Sequence, residues 1–278
     1  MNSQNITPSI TPENLTLQPE NYCRFCNSRT AQIFTSLILE KYEIKYFECF
    51  NCKSLQTEQP FWLSESYSEN LSTIDTGAAQ RLLRNLTSSF FVGKLFGLQN
   101  LIDIGGGDGL LCRFLRDYGF NCYSQDKFAR AIYAQGYTQP NFTKPDLILA
   151  FEVFEHFENP REELNLIFNK NASVYLISTV LYKNNGKDWW YLAKESGQHV
   201  FFYSKEAIEI LAKKYDYNSY INGNLIILIK HSIDTKIKSL IIKFVLNKWI
   251  LGLLRAVVVL LPCKEVQIDL EDQKGRRI

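Results

Sequence analysis

The chain has 278 residues, 46% of them hydrophobic, and a formal net charge of +2. That length allows one large domain plus a smaller module, and the apolar fraction excludes a disordered or collagen-like chain. Near-neutrality removes any global field that would draw the chain to a polyanion, so no nucleic-acid partner is expected and any basic surface is local.

Residues 1–20 are rich in Asn, Ser, Thr, Pro and Gln without hydrophobic periodicity, which predicts a flexible arm. They hold neither a basic n-region nor an apolar h-region, so a cleaved leader is not expected. Four of the seven cysteines form two Cys-x-x-Cys pairs, Cys23/Cys26 and Cys49/Cys52. Such pairs suit metal binding in a reducing compartment better than a disulfide framework, and the chain is read as cytoplasmic. Sequons such as Asn85-Leu86-Thr87 are then incidental. Each pair can form a knuckle offering two thiolates, and two knuckles close a tetrahedral four-sulfur site with no position left for water or substrate. Residues 21–60 are therefore expected to form a ribbon around a structural Zn2+; a redox pair would leave the second matched knuckle unexplained. Asn27 and Lys53 follow the pairs, where a knuckle turns through left-handed geometry that Asn tolerates and Lys adopts less often.

Residues 61–98 read as a helical linker. Its aromatic residues either bury the linker or, for Trp62 and Tyr67, face a ligand. Asp75-Thr76-Gly77 then opens a helix carrying Leu82, Leu83, Leu86, Phe90 and Phe91.

The expected main domain spans residues 99–231. It starts with an apolar strand, Leu101, Ile102 and Ile104, that runs through glycines 105, 106, 107 and 109 into a helix with Leu110, Leu111, Phe114 and Leu115 on one face. Asp108 stands at the N-cap position. The glycines permit positive φ and close approach of a ligand to the backbone, which points to a nucleoside cofactor. Leu110 occupies the place where the dinucleotide fingerprint needs a small residue, and this disfavours NAD. Asp126 ends the next apolar stretch. Only residues 129–144 precede the following buried strand at 146–151, so a third strand near 136–139 must be short or absent. Asn159-Pro160 opens a helix to about 169, with Pro at its first position. Strands are expected at 174–179 and 225–229, the latter paired with 217–221, and a helix at 204–214. This order predicts an α/β, doubly wound, Rossmann-like fold with an N-terminal ribbon and a C-terminal helical extension.

The series Gly105-x-Gly107-x-Gly109, with Asp103 before it and Asp126 after the second strand, resembles the first two signatures of class I S-adenosylmethionine-dependent methyltransferases. The resemblance implies that the loop cradles the methionyl part of the cofactor, that Asp103 helps hold its ammonium group and that Asp126 takes the ribose hydroxyls. The candidate cofactor-binding set is Asp103, Gly105, Gly107, Gly109, Asp126, Phe151 and Tyr67. Glu152-Val-Phe-Glu-His-Phe-Glu158 follows the fourth strand and is similar to the Glu-Val-x-Glu-His stretch of many small-molecule methyltransferases, making Glu152 and His156 candidates for the chemistry. A purely structural role, acids ahead of a helix and a packed histidine, stays open for both.

The ribbon together with residues 188–204 resembles zinc-containing sugar C-methyltransferases, which carry a Glu-His pair where this chain has Gln198-His199. His199 becomes the candidate base, with substrate binding or loop packing as its alternatives, and Trp189, Trp190 and Tyr191 offer either stacking faces or a small core. The implied activity is methyl transfer to a small molecule, most plausibly a sugar or sugar nucleotide. A methyltransferase-like scaffold without activity, carrying the ribbon as an interaction module, is the alternative.

Residues 232–278 form the expected extension. Lys236, Lys238, Lys243 and Lys248 punctuate an apolar pattern, and residues 249–261 are almost wholly apolar but too short, and too interrupted by Arg255, to cross a bilayer. Residues 236–261 either pack as helices on the domain or on a second copy, or lie peripherally on an anionic membrane. A loosely ordered tail follows from 264.

Overall fold

The computed structural model describes residues 22–67, 76–245, 247–263 and 266–275. The expected arm at 1–20, the proposed helix-opening Asp75 and the last three residues of the tail lie outside them.

In chain order the elements are β1 (Thr30–Ile38), β2 (Tyr42–Cys49), β3 (Leu55–Thr57), α1 (Leu63–Ser66), α2 (Ala78–Phe96), β4 (Asn100–Ile104), α3 (Leu110–Asp117), β5 (Asn121–Gln125) and β6 (Leu147–Phe151). There follow α4 (Pro160–Phe168), β7 (Val174–Ser178), β8 (Phe201–Phe202), α5 (Lys205–Tyr215), β9 (Tyr217–Asn222), β10 (Leu225–Lys230), α6 (Lys236–Val245), α7 (Lys248–Leu260) and α8 (Val266–Gly275). The larger sheet has the order β5-β4-β6-β7-β10-β9. Its first four strands are parallel, and β10 and β9 close it as an antiparallel hairpin against β7.

The sheet is covered on both faces because its strands are apolar on both. Leu101, Leu147, Leu149, Val174, Leu176 and Ile227 face one core, with α2 and α3. The intervening Ile102, Ile148, Ala150, Tyr175, Ile177 and Ile226 face the other, with α4 and α5. This is the doubly wound arrangement that near-continuous apolar strands require. Ser204 caps α5, its Oγ accepting from the Ala207 amide, and Pro160 sits in the first turn of α4. The expected third strand is absent: residues 126–145 form turns and bends, and contribute to the β5 edge through the Ser124 amide donating to the Tyr137 carbonyl.

The smaller sheet, β1-β2-β3-β8, is antiparallel. Its last strand comes from the segment just before α5, with Leu55 opposite Phe202 and Gln56 opposite Phe201. The ribbon therefore shares a sheet with the main domain, and Cys23, Cys49 and Cys52 lie in the same buried cluster as Phe154, Tyr203 and Ala207.

At the far end, α6 and α7 pack on α2 through Ile242, Leu251 and Val258. α8 is clasped to α3 by Asp269, which accepts from the Arg113 and Arg116 guanidiniums. One side of the extension therefore packs on the domain.

Candidate active site and metal centre

The centre of the site is the turn from β4 into α3. Gly105 has φ +66°, and an added Cβ would meet Val153 Cγ2 at 2.5 Å. Gly107 has φ +56° with no atom within 4 Å of where a Cβ would stand, so its outer side is open. Gly109, and not the expected Asp108, is the N-cap of α3; Asp108 stands one position earlier, and its carboxylate accepts from the Leu110 amide at 3.1 Å.

Asp126 binds this turn directly. One oxygen accepts from the Gly107 amide at 2.9 Å, the other from the amides of Phe128 and Ala129 at 2.8 and 2.7 Å. Three backbone donors hold the carboxylate at the rim and leave about one of its four acceptor positions over. Asp103 is placed differently: it is buried beneath Gly106, beside Ser124 Oγ, and its Oδ2 has no hydrogen-bond partner. Burial, then the charges of Asp126 and Asp108, push its pKa up to about 7. Tyr67 approaches the same rim from the linker, its ring stacked on Phe128 at 4.6 Å and its hydroxyl 3.2 Å from His156 Nδ1. Phe151 ends β6, partly buried against the α2/α3 core.

The loop after β6 brings the acids and histidines together. Glu152 takes φ +54°; its amide donates to Ser178 O, and its Oε1 accepts from Ser178 Oγ at 2.5 Å. A short 3-10 turn, Phe154–His156, then directs Glu155 inward. Tyr191 OH donates to Glu155 Oε1 at 2.6 Å and lies 3.3 Å from Glu152 Oε2. Burial and the neighbouring Glu152 push the Glu155 pKa up to about 8, so it is largely protonated at neutral pH. His156 and His199 meet edge to face with ring centroids 4.9 Å apart. Burial and His199 lower the His156 pKa to about 3. His199 is also held below its ordinary value, by burial, against the pull of the Tyr191 carbonyl and Glu152. Its Nδ1 lies 2.7 Å from that carbonyl, which only accepts, so Nδ1 carries the proton and Nε2 keeps its lone pair.

A sequence profile for a methyltransferase domain matches residues 75–220, just over half of the chain. The chain belongs to this methyltransferase-domain family. A search of curated proteins found no match. Among solved structures the chain is similar to magnesium protoporphyrin IX methyltransferase from Synechocystis PCC 6803, solved with S-adenosylmethionine bound, at 16% identity and a TM-score of 0.42 over 60% of this chain and 89% of that one. It is also similar to 1,6-didemethyltoxoflavin-N1-methyltransferase from Burkholderia thailandensis, at 12% identity and 0.44 over 61% and 84%. A third likeness is to mitomycin 7-O-methyltransferase, at 15% identity and 0.43 over 60% and 59%.

The methyltransferase domain gathers Gly105, Gly107, Asp126 and Tyr67 about the turn after β4, and Tyr67 links them to His156, which meets His199, while Tyr191 bridges His199 and Glu152. Two partners were not singled out from sequence. Glu155 reads like Glu152 in the same stretch, and only the 3-10 turn distinguishes them; Tyr191 reads as one more aromatic of the Trp189-Trp190-Tyr191 run. Gln198, standing where an acid would pair with His199, instead donates to the Ser66 carbonyl at 2.8 Å. Of the aromatic run, Trp189 packs into the ribbon-side core, Tyr191 is buried, and Trp190 is 74% exposed. Trp62 is buried, its indole N–H donating to the Gly197 carbonyl at 2.8 Å, so it packs the linker and offers no face to a ligand.

The ribbon cysteines converge. Sγ separations are 3.6 Å for Cys23–Cys52 and 3.5 Å for Cys26–Cys49, and all four sulfurs lie within 4.8 Å of one another. A tetrahedral zinc with bonds of about 2.3 Å spaces its sulfurs about 3.8 Å apart, so the donor set and its size fit a closed zinc site. Asn27 and Lys53 both take the left-handed turn, at φ +62° and +55°. From this knuckle Arg24 reaches across to the active-site segment, its Nη2 donating to the Val200 carbonyl at 2.6 Å, next to His199.

Proposed function

We propose that the chain transfers a methyl group from S-adenosylmethionine to a small molecule seated in the crevice between residues 152–156 and 190–199, and that the acceptor is a saccharide. The observation that carries this reading is one chain of contacts: a glycine turn open at Gly107 and staked by Asp126, joined through Phe128, Tyr67 and His156 to His199, whose Nδ1–H faces the Tyr191 carbonyl so that Nε2 keeps its lone pair.

The residues fit the cofactor. Gly107 leaves the main chain bare on the side where a Cβ would stand, Asp126 keeps one acceptor position for a ribose hydroxyl, and Tyr67 and Phe128 offer apolar faces at the rim. Asp103, unpartnered and near the midpoint of its titration at neutral pH, is a carboxyl whose charged form a cationic ligand would favour. When bound, the cofactor supplies a methyl group made electrophilic by its sulfonium.

The chain's own share is alignment and proton removal. In-line displacement gains most from holding the acceptor atom at the right distance and angle, which the walls of the crevice provide. His199 Nε2 takes the acceptor's proton, and the nearby Glu152 carboxylate stabilises the resulting imidazolium. His156 remains neutral and supplies a hydrogen bond. Glu155, protonated, can share Tyr191 with Glu152 without two carboxylates repelling each other. The exposed indole of Trp190 supports a saccharide, since a sugar's apolar face stacks on such a ring.

Calorimetry with S-adenosylmethionine tests the cofactor, with NAD as the control ligand. Wild type is expected to bind S-adenosylmethionine and not NAD, and Asp126→Ala to bind it at least tenfold more weakly. Absence of binding to folded, zinc-loaded protein would leave a methyltransferase-like scaffold as the better reading. For the base, His199→Ala is expected to keep cofactor binding and lose turnover; full turnover would remove His199 from the chemistry.

A further inference from the structure

The C-terminal helices are built the wrong way round for a surface exposed only to water. In α6 the exposed residues whose side chains are described are Lys236 at its start and then Ile237, Leu240, Ile241 and Phe244, spaced i, i+3, i+4, i+7. In α7 Trp249, Gly252, Leu253, Ala256, Val257 and Leu260 are exposed at the same helical spacing over three turns, with Val259 exposed beside them. The opposite side is apolar too, with Ile242, Leu251 and Val258 buried against the domain. A helix docked on one face normally shows charge on the other; here both faces are apolar. The outward stripe is not shallow exposure, since Leu240, Trp249 and Leu253 are 71%, 75% and 75% exposed.

Charge decides what covers it. Residues 236–261 hold four lysines and one arginine, and no Asp or Glu. Pairing this segment with itself about a two-fold axis would bring together two basic segments without a single acid to offset them, even with Lys238 over the Phe96 ring and Arg255 donating to Gln80. An anionic surface has the complementary sign, accepts apolar side chains to the depth of its acyl boundary, and lets lysine stems extend to the headgroups. Trp249 at the start of α7 is of the type that settles at that boundary. No helix among the described residues is long and apolar enough to cross a membrane, so the fit is to a surface and not to a span.

We propose that α6 and α7 form an amphipathic dock that seats the protein on an anionic lipid bilayer, with the Ile237–Phe244 and Trp249–Leu260 stripes in the headgroup region. The dock is independent of the methyl-transfer reading, because no residue of either stripe belongs to the candidate site.

Flotation of the full-length protein with phosphatidylglycerol–phosphatidylcholine vesicles, and with phosphatidylcholine alone, tests this. The wild type is expected to float with the anionic vesicles, weakly with the neutral ones, and less as salt is raised. Replacing Lys236 and Lys238 by Gln should reduce partitioning about fivefold each. A Leu240→Glu, Leu253→Glu double variant, altered only at exposed positions, should stay at the bottom with an unchanged melting temperature. Failure of the wild type to float with either vesicle, or flotation of the double variant equal to wild type, would overturn the proposal. So would light scattering that finds a lipid-free dimer which the double variant dissociates.

Discussion

Gly107 separates two demands that glycine loops usually confound. Its φ of +56° disfavours any side chain, yet nothing in the protein lies within 4 Å of a Cβ there. Gly107→Ala therefore meets no clash inside the fold and costs about 1 kcal/mol of backbone strain. If the open side is where the cofactor lies, calorimetric affinity should fall by at least tenfold while the melting temperature moves by only a few degrees. At Gly105 the Cβ would strike Val153, so Gly105→Ala should damage stability and binding together. The buried acids set a pH dependence of definite sign. Asp103 goes from an ordinary 3.8 to about 7, and Glu155 from 4.5 to about 8. Across those windows the unfolded chain releases protons that the folded chain keeps, so stability from both groups is full below pH 4, falls as pH rises, and levels off above 8. Thermal melts of the cofactor-free protein should show Asp103→Asn gaining on wild type as pH rises from 4 to 8, the gap closing when cofactor is added. A gap independent of pH would show that Asp103 is not the group titrating.

The ribbon is the element whose contribution is least evident from its own residues. Cysteine spacing makes the two knuckles legible, including the left-handed turns at Asn27 and Lys53. Nothing in a two-residue strand, Phe201–Phe202, announces that it will complete the ribbon's sheet, because pairing of so short a segment is decided by packing and not by local pattern. The consequence is functional: the strand follows His199 directly, and Arg24, on the first knuckle, donates to both Thr57 Oγ1 and the Val200 carbonyl. If His199 is the base proposed above, the ribbon is what aims it. Both bonds come from one nitrogen, Nη2, at the tip of the guanidinium; Arg24→Lys keeps the charge but loses the planar group that carries this nitrogen to both acceptors. Turnover should drop by ten- to a hundredfold, the size expected of a displacement of about 1 Å in a reacting group. Cofactor affinity should be unchanged, because Gly107 and Asp126 sit on the far sheet. Equal losses in both would mean a general loss of folding and not a loss of aim.

At the scale of the whole molecule, the order of strand, glycines, helix, strand and acid was enough to predict the doubly wound sheet, and the shortness of residues 129–144 was enough to predict a third strand either short or absent. Depth was not legible. Glu152 and Glu155 are alike in the sequence but differ in burial, and Trp62 and Tyr67 differ only in which side of the linker each faces. Nor was cohesion legible, since two Cys-x-x-Cys pairs suggest a bead on a string. The cores say otherwise. One cluster joins Cys23, Cys49 and Cys52 to a face of the main sheet and to α5, and another joins β1 and β2 to Tyr182, Tyr191 and Phe202. Ser204, which caps α5, also donates to the Cys52 carbonyl, so the start of a main-domain helix and the second knuckle share one hydroxyl. An isolated ribbon would leave those apolar faces in water, and the main domain without it would expose Phe154, Tyr203 and Phe202. Neither part can open without exposing apolar side chains of the other. Calorimetry should therefore show a single cooperative transition spanning ribbon and main domain, with matching van't Hoff and calorimetric enthalpies. Because zinc binds the folded knuckles far better than the unfolded chain, a chelator should move that whole transition to lower temperature and not split a small one from it. A separate ribbon transition that alone responds to the chelator would show that the shared sheet contributes little, and the aiming of His199 through Arg24 would lose its physical basis.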